Sequence, residues 1–445
     1  MRFGTDGVRG VANLELTPGF ALDLGRAAGR VLGASTAVIG GDSRRSTPML
    51  DAAIVAGLTS EGVDVIRLGV VPTPAVAFHA SRLGAMGIMV SASHNPHGDN
   101  GIKLFAVGGT KLPDRVERDI ESWLEALDPR APGPGEPGRV TDASSGPEHD
   151  RYVGGYVDHL LSILDGRSLA GLHVVVDAAN GAASGIARTV IERSGAMTVA
   201  IHDSPDGRNI NEGCGATDVT TLAAEVRRTG AHLGLALDGD ADRLIAVDER
   251  GELVDGDHVI AICATDLRDR GLLRDDTVVT TVMANLGFRR AMEAAGLRVV
   301  ETPVGDRYVL EALDAGGYSL GGEQSGHVIF RDVASTGDGL LTGLVLADIV
   351  ARSGRPLSEL ADAAMTRLPQ VLVNVVVAER VPDVAEQLGA EIAAASAPLG
   401  GHGRILVRPS GTEPLVRVMV EAPTAELAAE VADRLAAVVS DRWPA

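Results

Sequence analysis

Three times in the first three-quarters of the chain, a short apolar stretch passes through a glycine-bearing turn into a helical pattern. These stretches are "TAVIGGD" (36–42) before "TPMLDAAIVAGLTSEG", "GLHVVVDAANGAASG" (171–185) and "DTVVTTVMANLGFRRAMEAAG" (276–296). Strand, turn and helix in alternation predict sheets with helices packed on them, which is α/β architecture. The third unit adds a second strand-to-helix turn at Gly305-Asp306, in "LRVVETPVGDRYVLEALDAGG". The last segment differs: "PQVLVNVVVAE" (369–379), an alanine-rich helical stretch over 382–397, paired strands in "GRILVRPSGTEPLVRVMVEA" and a helix over 424–439 predict a small α+β layer. Domains are therefore expected at 1–150, 151–252, 253–367 and 368–445, with the Pro- and Gly-rich segment 128–140 marking the first break.

A length of 445 residues suggests about three domains, and the 55 glycines belong in turns and loops. The net charge of −20, with no cluster of Lys and Arg interleaved with aromatics, argues against a nucleic-acid partner. No run reaches the roughly 18 to 20 apolar residues of a membrane span, and the start "MRFGTDGVRG" has no apolar signal region, so a cytoplasmic protein without a membrane partner is expected. Cys214 and Cys263 lie far apart with no second ligand pair nearby, and read as two reduced structural thiols.

Ligands of open α/β sheets gather at the carboxyl ends of strands, so four polar loops at such positions carry weight. In "VSASHNPHGDNGIK" (90–103), Ser93, His94 and Lys103 follow the apolar run Gly87–Val90. Serine is a weak nucleophile without a base or cation, and taken alone this loop reads better as a serine turn capping a helix. In "LALDGDADRLIAV" (235–247), Asp238, Asp240 and Asp242 alternate and can turn onto one hard cation such as Mg²⁺. An EF-hand is disfavoured, because its sixth position is Arg243 rather than glycine and the flanks are strand-like. In "LGGEQSGHVIF" (320–330), Glu323, Ser325 and His327 suit sugar hydroxyls, though a polar hairpin turn explains them equally well. In "VRPSGTEPLVR" (407–417), Arg408, Ser410, Gly411 and Thr412, with Arg417 at the end, offer convergent donors to a phosphate, against a plain polar turn.

Together, Ser-His-Asn-Pro, Asp-Gly-Asp-Ala-Asp-Arg, Gly-Glu-Gln-Ser-Gly-His and Arg-Pro-Ser-Gly-Thr-Glu-Pro occur in this order, one in each expected domain. The set resembles the α-D-phosphohexomutase superfamily over essentially the whole chain. The start "FGTDGVRG", the alanine of "DGDADR" and the glutamine of "GEQSGH" resemble its bacterial phosphoglucosamine mutase branch. The resemblance implies a four-domain fold around a central cleft: three related α/β domains with mixed sheets and a C-terminal α+β domain of the TATA-binding-protein-like class.

It also implies reversible conversion of glucosamine 6-phosphate to glucosamine 1-phosphate, feeding UDP-N-acetylglucosamine and the cell wall. Ser93 matches the phosphoserine, carrying phosphate to and from a 1,6-bisphosphate intermediate that also primes the enzyme. One Mg²⁺ would be held by Asp238, Asp240, Asp242 and a phosphoserine oxygen. Arg9 and Arg243 would add positive charge, and Lys103 and His94 are the candidates for proton transfer. Glu323, Ser325 and His327 would bind the sugar, while Arg408, Ser410, Gly411, Thr412 and Arg417 would hold the non-reacting phosphate. Asp42 and Arg44 of "GDSRRST" are taken as structural, and His97 departs from the residues often found after this motif, which touches fine substrate preference alone. The partner is a small phosphosugar, and a homodimer is the family-level expectation. Rivals are a phosphoglucomutase or phosphomannomutase of the same mechanism, a non-catalytic phosphosugar sensor, and a phosphatase with an aspartate nucleophile in "DGDAD".

Overall fold

The stretch 36–42 forms the strand Thr36–Gly41, whose residues Ala37, Val38 and Ile39 are fully buried. It lies between two parallel neighbours, Asp64–Val70 and Met86–Val90. A strand covered on both faces can be apolar at every position, which is why it reads as a run rather than an alternation. The computed structural model describes residues 3–4, 6–128, 131, 133–410 and 414–445.

Among the described residues four sheets result, one for each repeat of the sequence pattern and one for the C-terminal segment. The first has six strands in the order Val8–Val11, Asp99–Phe105, Met86–Val90, Thr36–Gly41, Asp64–Val70 and Val140–Asp142. The second has five, Leu253–Val254, Leu244–Asp248, Leu233–Leu237, His173–Asp177 and Met197–Ile201. The third has four, Arg298–Thr302, Thr277–Thr281, Leu320–Gly322 and Val328–Phe330. Each of these three is mixed, with parallel strands joined to at least one antiparallel hairpin. The fourth is a three-stranded antiparallel sheet, Gln370–Val376, Leu415–Glu421 and Arg404–Pro409.

The chain divides into two compact units, Met1–Met283 with Leu297–Ala364, and Ala284–Gly296 with Met365–Ala445. In the first unit the helices Pro18–Leu32 and Thr47–Ser60 cross at glycines: a Cβ on Gly57 would stand 2.1 Å from the Leu22 carbonyl oxygen, and one on Gly25 would stand 2.6 Å from that of Ile54. Backbones this close exclude any larger residue at the crossing. In the second unit the helix Ala425–Arg442 covers the three-stranded sheet, burying Val431, Leu435 and Val439 against Val416 and Val418. The side chain of Asn285 caps the helix Leu286–Ala294 and exchanges two hydrogen bonds with the Leu368 backbone, at 2.9 and 3.0 Å, so this helix belongs with residues distant in sequence.

Some local expectations need adjustment. Residue 150 lies inside the helix Gly146–Ser162, and the step from 252 to 253 falls within a hairpin of the second sheet. The alanine-rich stretch breaks at Leu388 into Val384–Gln387 and Gly389–Ser396. Among the described residues no helix is long and apolar enough to cross a membrane.

Candidate active site

Each of the four polar loops connects two antiparallel neighbouring strands. The serine loop joins Met86–Val90 to Asp99–Phe105, and the aspartate loop joins Leu233–Leu237 to Leu244–Asp248. The glutamate loop joins Leu320–Gly322 to Val328–Phe330, and the arginine loop joins Arg404–Pro409 to Leu415–Glu421. The reading of the serine loop as a helix cap is thereby overturned, since a strand and not a helix follows it. A hairpin turn frees its polar side chains from the ladder and fixes them by the register of two strands.

In the first unit the serine and aspartate loops meet. Ser93 is completely buried and left-handed, with φ of 52°, and its Oγ donates a 2.6 Å hydrogen bond to Asp238 Oδ2. A non-glycine residue in that conformation persists only where its surroundings hold it. Here the Ser93 N–H donates to Ser91 Oγ (2.9 Å), and Ser91 Oγ donates to Asp42 Oδ2 (2.6 Å). Arg44, wholly buried and paired with Asp42 at 2.8 Å, donates to the carbonyls of Ser93 (2.9 Å), Asn95 (2.8 Å) and Pro96. Asn211 adds Nδ2 bonds to the Ser93 and Asn95 carbonyls, at 2.9 and 3.1 Å. Gly239 lets the aspartate loop come this close, because a Cβ there would stand 2.5 Å from the Ser93 carbonyl oxygen.

Asp42 and Arg44 are thus the brace of the serine loop, in keeping with their structural assignment. Replacing Arg44 with methionine would leave the buried Asp42 carboxylate without its cation and take one of the donors from each of three carbonyls. The expected cost is about 3–5 kcal/mol, read by urea denaturation; a loss below about 1 kcal/mol would mean that the brace is dispensable.

The carboxylates of Asp238, Asp240 and Asp242 are buried, and each offers an oxygen within 4.8 Å of the others. At an effective dielectric near 20, such a separation costs about 3 kcal/mol per pair of full charges. Part of this is met by Lys103, whose Nζ lies 2.7 Å from Asp240, 2.9 Å from Asp242 and 2.8 Å from Asp6. Burial opposes the Lys103 charge, but the three carboxylates outweigh it and hold the ammonium well above its ordinary range. Asp240 Oδ2 also accepts from Thr73 Oγ1 at 2.6 Å. Asp240 Oδ1 and Asp242 Oδ1 remain buried without a hydrogen-bond partner. Two orphaned carboxylate oxygens beside a third carboxylate form a donor set that fits one hard divalent cation. Burial and the charges of Asp242 and Asp240 push the Asp238 carboxyl well above the usual carboxylate range, which is the signature of an uncompensated cluster.

Cationic and proton-handling groups surround this pair of loops. Arg9, on the strand Val8–Val11, pairs with Asp6 at 2.7 Å, and Arg243 closes the aspartate loop with its Nε 3.8 Å from Asp242 Oδ1. His94 Nδ1 lies 3.3 Å from Ser93 Oγ. Burial, helped by the charges of Arg243 and Arg9, lowers the His94 imidazole to about 4, so it is neutral at pH 7.

In the third loop, Glu323 Oε1 accepts the Gly305 N–H at 3.0 Å and its Oε2 lies 3.4 Å from Ser325 Oγ. Glu323 also acts electrostatically on Arg243, which links this loop to the aspartate loop. His327 is buried, with Nε2 3.4 Å from Asp306 Oδ2 and neither ring nitrogen engaged in a hydrogen bond.

In the second unit, Arg408 and Arg417 are direct cross-strand partners, and Ser410 is buried beside them with its N–H bonded to the Leu415 carbonyl at 2.8 Å. Among the described residues neither arginine has a carboxylate partner; burial and the Arg417 charge together lower the Arg408 guanidinium, so an anion is favoured there. Gly411 and Thr412 lie outside the described residues.

Several contributors escaped the sequence reading: Asp6, Thr73 and Asn211. Asp6 and Arg9 do stand three apart in "FGTDGVRG", but nothing local to Thr73 or Asn211 marks them, because their partners are over 100 residues away.

Comparison with known proteins places this geometry. Residues 1–131, 154–251, 255–368 and 372–438 match the family models for phosphoglucomutase/phosphomannomutase domains I, II, III and the C-terminal domain. A phosphoglucosamine mutase of Frankia alni is 54% identical over 457 aligned positions, covering 100% of this chain and 99% of that protein. The chain belongs to the phosphoglucosamine mutase family. A relative of the same name from Thermobifida fusca is 54% identical over 99% of this chain and 98% of its own. A crystal structure of a phosphoglucomutase/phosphomannomutase family protein from Burkholderia thailandensis superposes with a TM-score of 0.81 at 25% identity, covering 98% of this chain and 97% of that one. The four hairpin loops therefore sit in the four-domain architecture of the phosphohexomutases.

Proposed function

We propose that the protein interconverts glucosamine 6-phosphate and glucosamine 1-phosphate, with Ser93 as the phosphoryl carrier. The observation that carries the reading is the buried Ser93 Oγ, bonded at 2.6 Å to one of three clustered aspartates and beside a neutral imidazole. Phospho-Ser93 gives its phosphoryl group to the free C1 hydroxyl of glucosamine 6-phosphate: the Oγ–P bond breaks, the sugar O–P bond forms, and the hydroxyl proton leaves. The resulting 1,6-bisphosphate, presented in its other orientation, returns the C6 phosphoryl group to Ser93 and departs as glucosamine 1-phosphate. A 1,6-bisphosphate would also prime unphosphorylated Ser93.

Mg²⁺ held by Asp238, Asp240 and Asp242 would neutralise charge on the transferring group. Arg9 and Arg243 supply fixed positive charge to the same group. Of the two candidates for proton transfer, the neutral His94 imidazole has Nδ1 3.3 Å from Ser93 Oγ, whereas three carboxylates hold the Lys103 ammonium protonated, where it supplies positive charge. Glu323 and Ser325 orient the sugar, and Arg408, Ser410 and Arg417, with Gly411 and Thr412, bind the phosphate that is not reacting.

The test is kcat/KM for glucosamine 6-phosphate, glucose 6-phosphate and mannose 6-phosphate on one Mg²⁺-loaded preparation whose Ser93 phosphorylation is verified by intact mass. The amino sugar is expected to be preferred at least about tenfold. Preference for a neutral hexose would move the chain to the phosphoglucomutase/phosphomannomutase activity with the same carrier and metal.

A further inference from the structure

We infer that Asp177, His202 and Cys214 form a second metal site, distinct from the aspartate loop and suited to a borderline-soft divalent ion such as Zn²⁺. The three residues come from separate segments of the second sheet's domain. Asp177 ends the strand His173–Asp177, His202 follows the strand Met197–Ile201, and Cys214 precedes the short turn Gly215–Thr217. Their ligand atoms all lie within 4.8 Å of one another. Their separation in sequence is why the spacing of Cys214 gave no sign of a ligand set.

The donor chemistry selects the ion. Mg²⁺ takes oxygen ligands and is matched by the all-carboxylate loop, whereas a thiolate, an imidazole and one carboxylate are the mixed S, N, O set of zinc sites with an open fourth position. The trio is organised without an ion: Asp177 Oδ2 accepts from His202 Nδ1 at 2.9 Å and from the Gly215 N–H at 3.0 Å, while Oδ1 accepts the Ala179 N–H at 2.8 Å. Asp177 and Cys214 are buried, and the His202 side chain, 25% exposed, gives the way in from solvent. Asp203, Glu212 and Asp218 add negative potential around His202 and Cys214. Burial and this acidic surrounding push the Cys214 thiol up to about 12. Coordination would replace the Cys214 S–H bond by a sulfur–metal bond, with the proton released to solvent.

The site also touches the reaction apparatus. Asn211 lies three residues before Cys214, its N–H donates to the Ala179 carbonyl at 3.0 Å, and its side chain clamps the Ser93 and Asn95 carbonyls. An ion bound by Cys214 and Asp177 would brace the segment that holds this clamp.

Co²⁺ is the probe, titrated into the full-length protein in excess Mg²⁺, with the thiolate-to-cobalt charge-transfer absorption as readout. One equivalent per chain should produce the band, Cys263→Ser should retain it, and Cys214→Ser should abolish it. His202→Gln, which keeps the thiol, should weaken the titration by at least about tenfold, and serves if Cys214→Ser does not fold. Absence of the band in folded wild-type protein, its survival in Cys214→Ser, or an unchanged affinity in His202→Gln would overturn the inference.

Discussion

Replacing Ser93 with alanine is expected to lower mutase turnover by a factor on the order of 10³ or more, with thermal stability little changed. The hydroxyl is chemically central but mechanically minor. The serine loop is fixed through its backbone, by Arg44 and Asn211 on the Ser93 carbonyl and by Ser91 on its N–H, and none of these bonds uses Ser93 Oγ. What alanine removes is the 2.6 Å bond to Asp238, itself one of three carboxylates in mutual repulsion. The variant should therefore fold, bind substrate and fail to carry phosphate. Steady-state assay with added 1,6-bisphosphate, together with a thermal melt, reads both halves. Turnover near the wild-type rate would reassign the carrier and revive the idea of an aspartate nucleophile in the "DGDAD" loop.

The second large effect concerns the metal loop and has opposite signs for stability and activity. Asp238→Asn keeps an acceptor for Ser93 Oγ and removes one of three clustered charges. In chelator the variant is expected to melt at or above the wild-type temperature, while kcat/KM falls by a factor on the order of 10² or more and Mg²⁺ no longer raises the melting temperature. The pH dependence follows from the same charge. Because the Asp238 carboxyl is raised in the folded chain, its contribution to the stability of the metal-free protein is present at low pH and is lost as pH rises through that raised value. Mg²⁺ binding should strengthen over the same interval, since the ion competes with the proton. A variant that melts several degrees lower in chelator, or that keeps Mg²⁺-dependent stabilisation, would show that Asp238 is not part of an uncompensated cluster.

These expectations also indicate what a sequence of this kind discloses. The pair Ser93 and Asp238 was legible because each sits in a polar loop directly after an apolar strand, and because four such loops in one order are hard to assemble by accident. The hairpin was less legible: the run from Ser91 to Asn100 carries residues that cap helices equally well, and only pairing of Met86–Val90 with Asp99–Phe105 separates the two. Long-range partners left no local trace. Thr73 bonds Asp240 across 167 positions, and Asn211 reaches Ser93 across 118. The burial of His327 near Asp306 was likewise not legible from its alternation with Glu323 and Ser325. Lys103 was recognised by position, but its three carboxylate partners come from two other loops and became visible with the fold.

The central claim, that Ser93 donates phosphate to the substrate, is tested most directly in a single turnover. Protein phosphorylated on Ser93, verified by intact mass, is mixed with one equivalent of glucosamine 6-phosphate in Mg²⁺ and quenched at intervals. The phosphoryl mass should leave the protein as glucosamine 1,6-bisphosphate forms and return as glucosamine 1-phosphate accumulates. Product appearing while every chain keeps its original phosphoryl group, shown by an isotopic label on Ser93, would contradict the account.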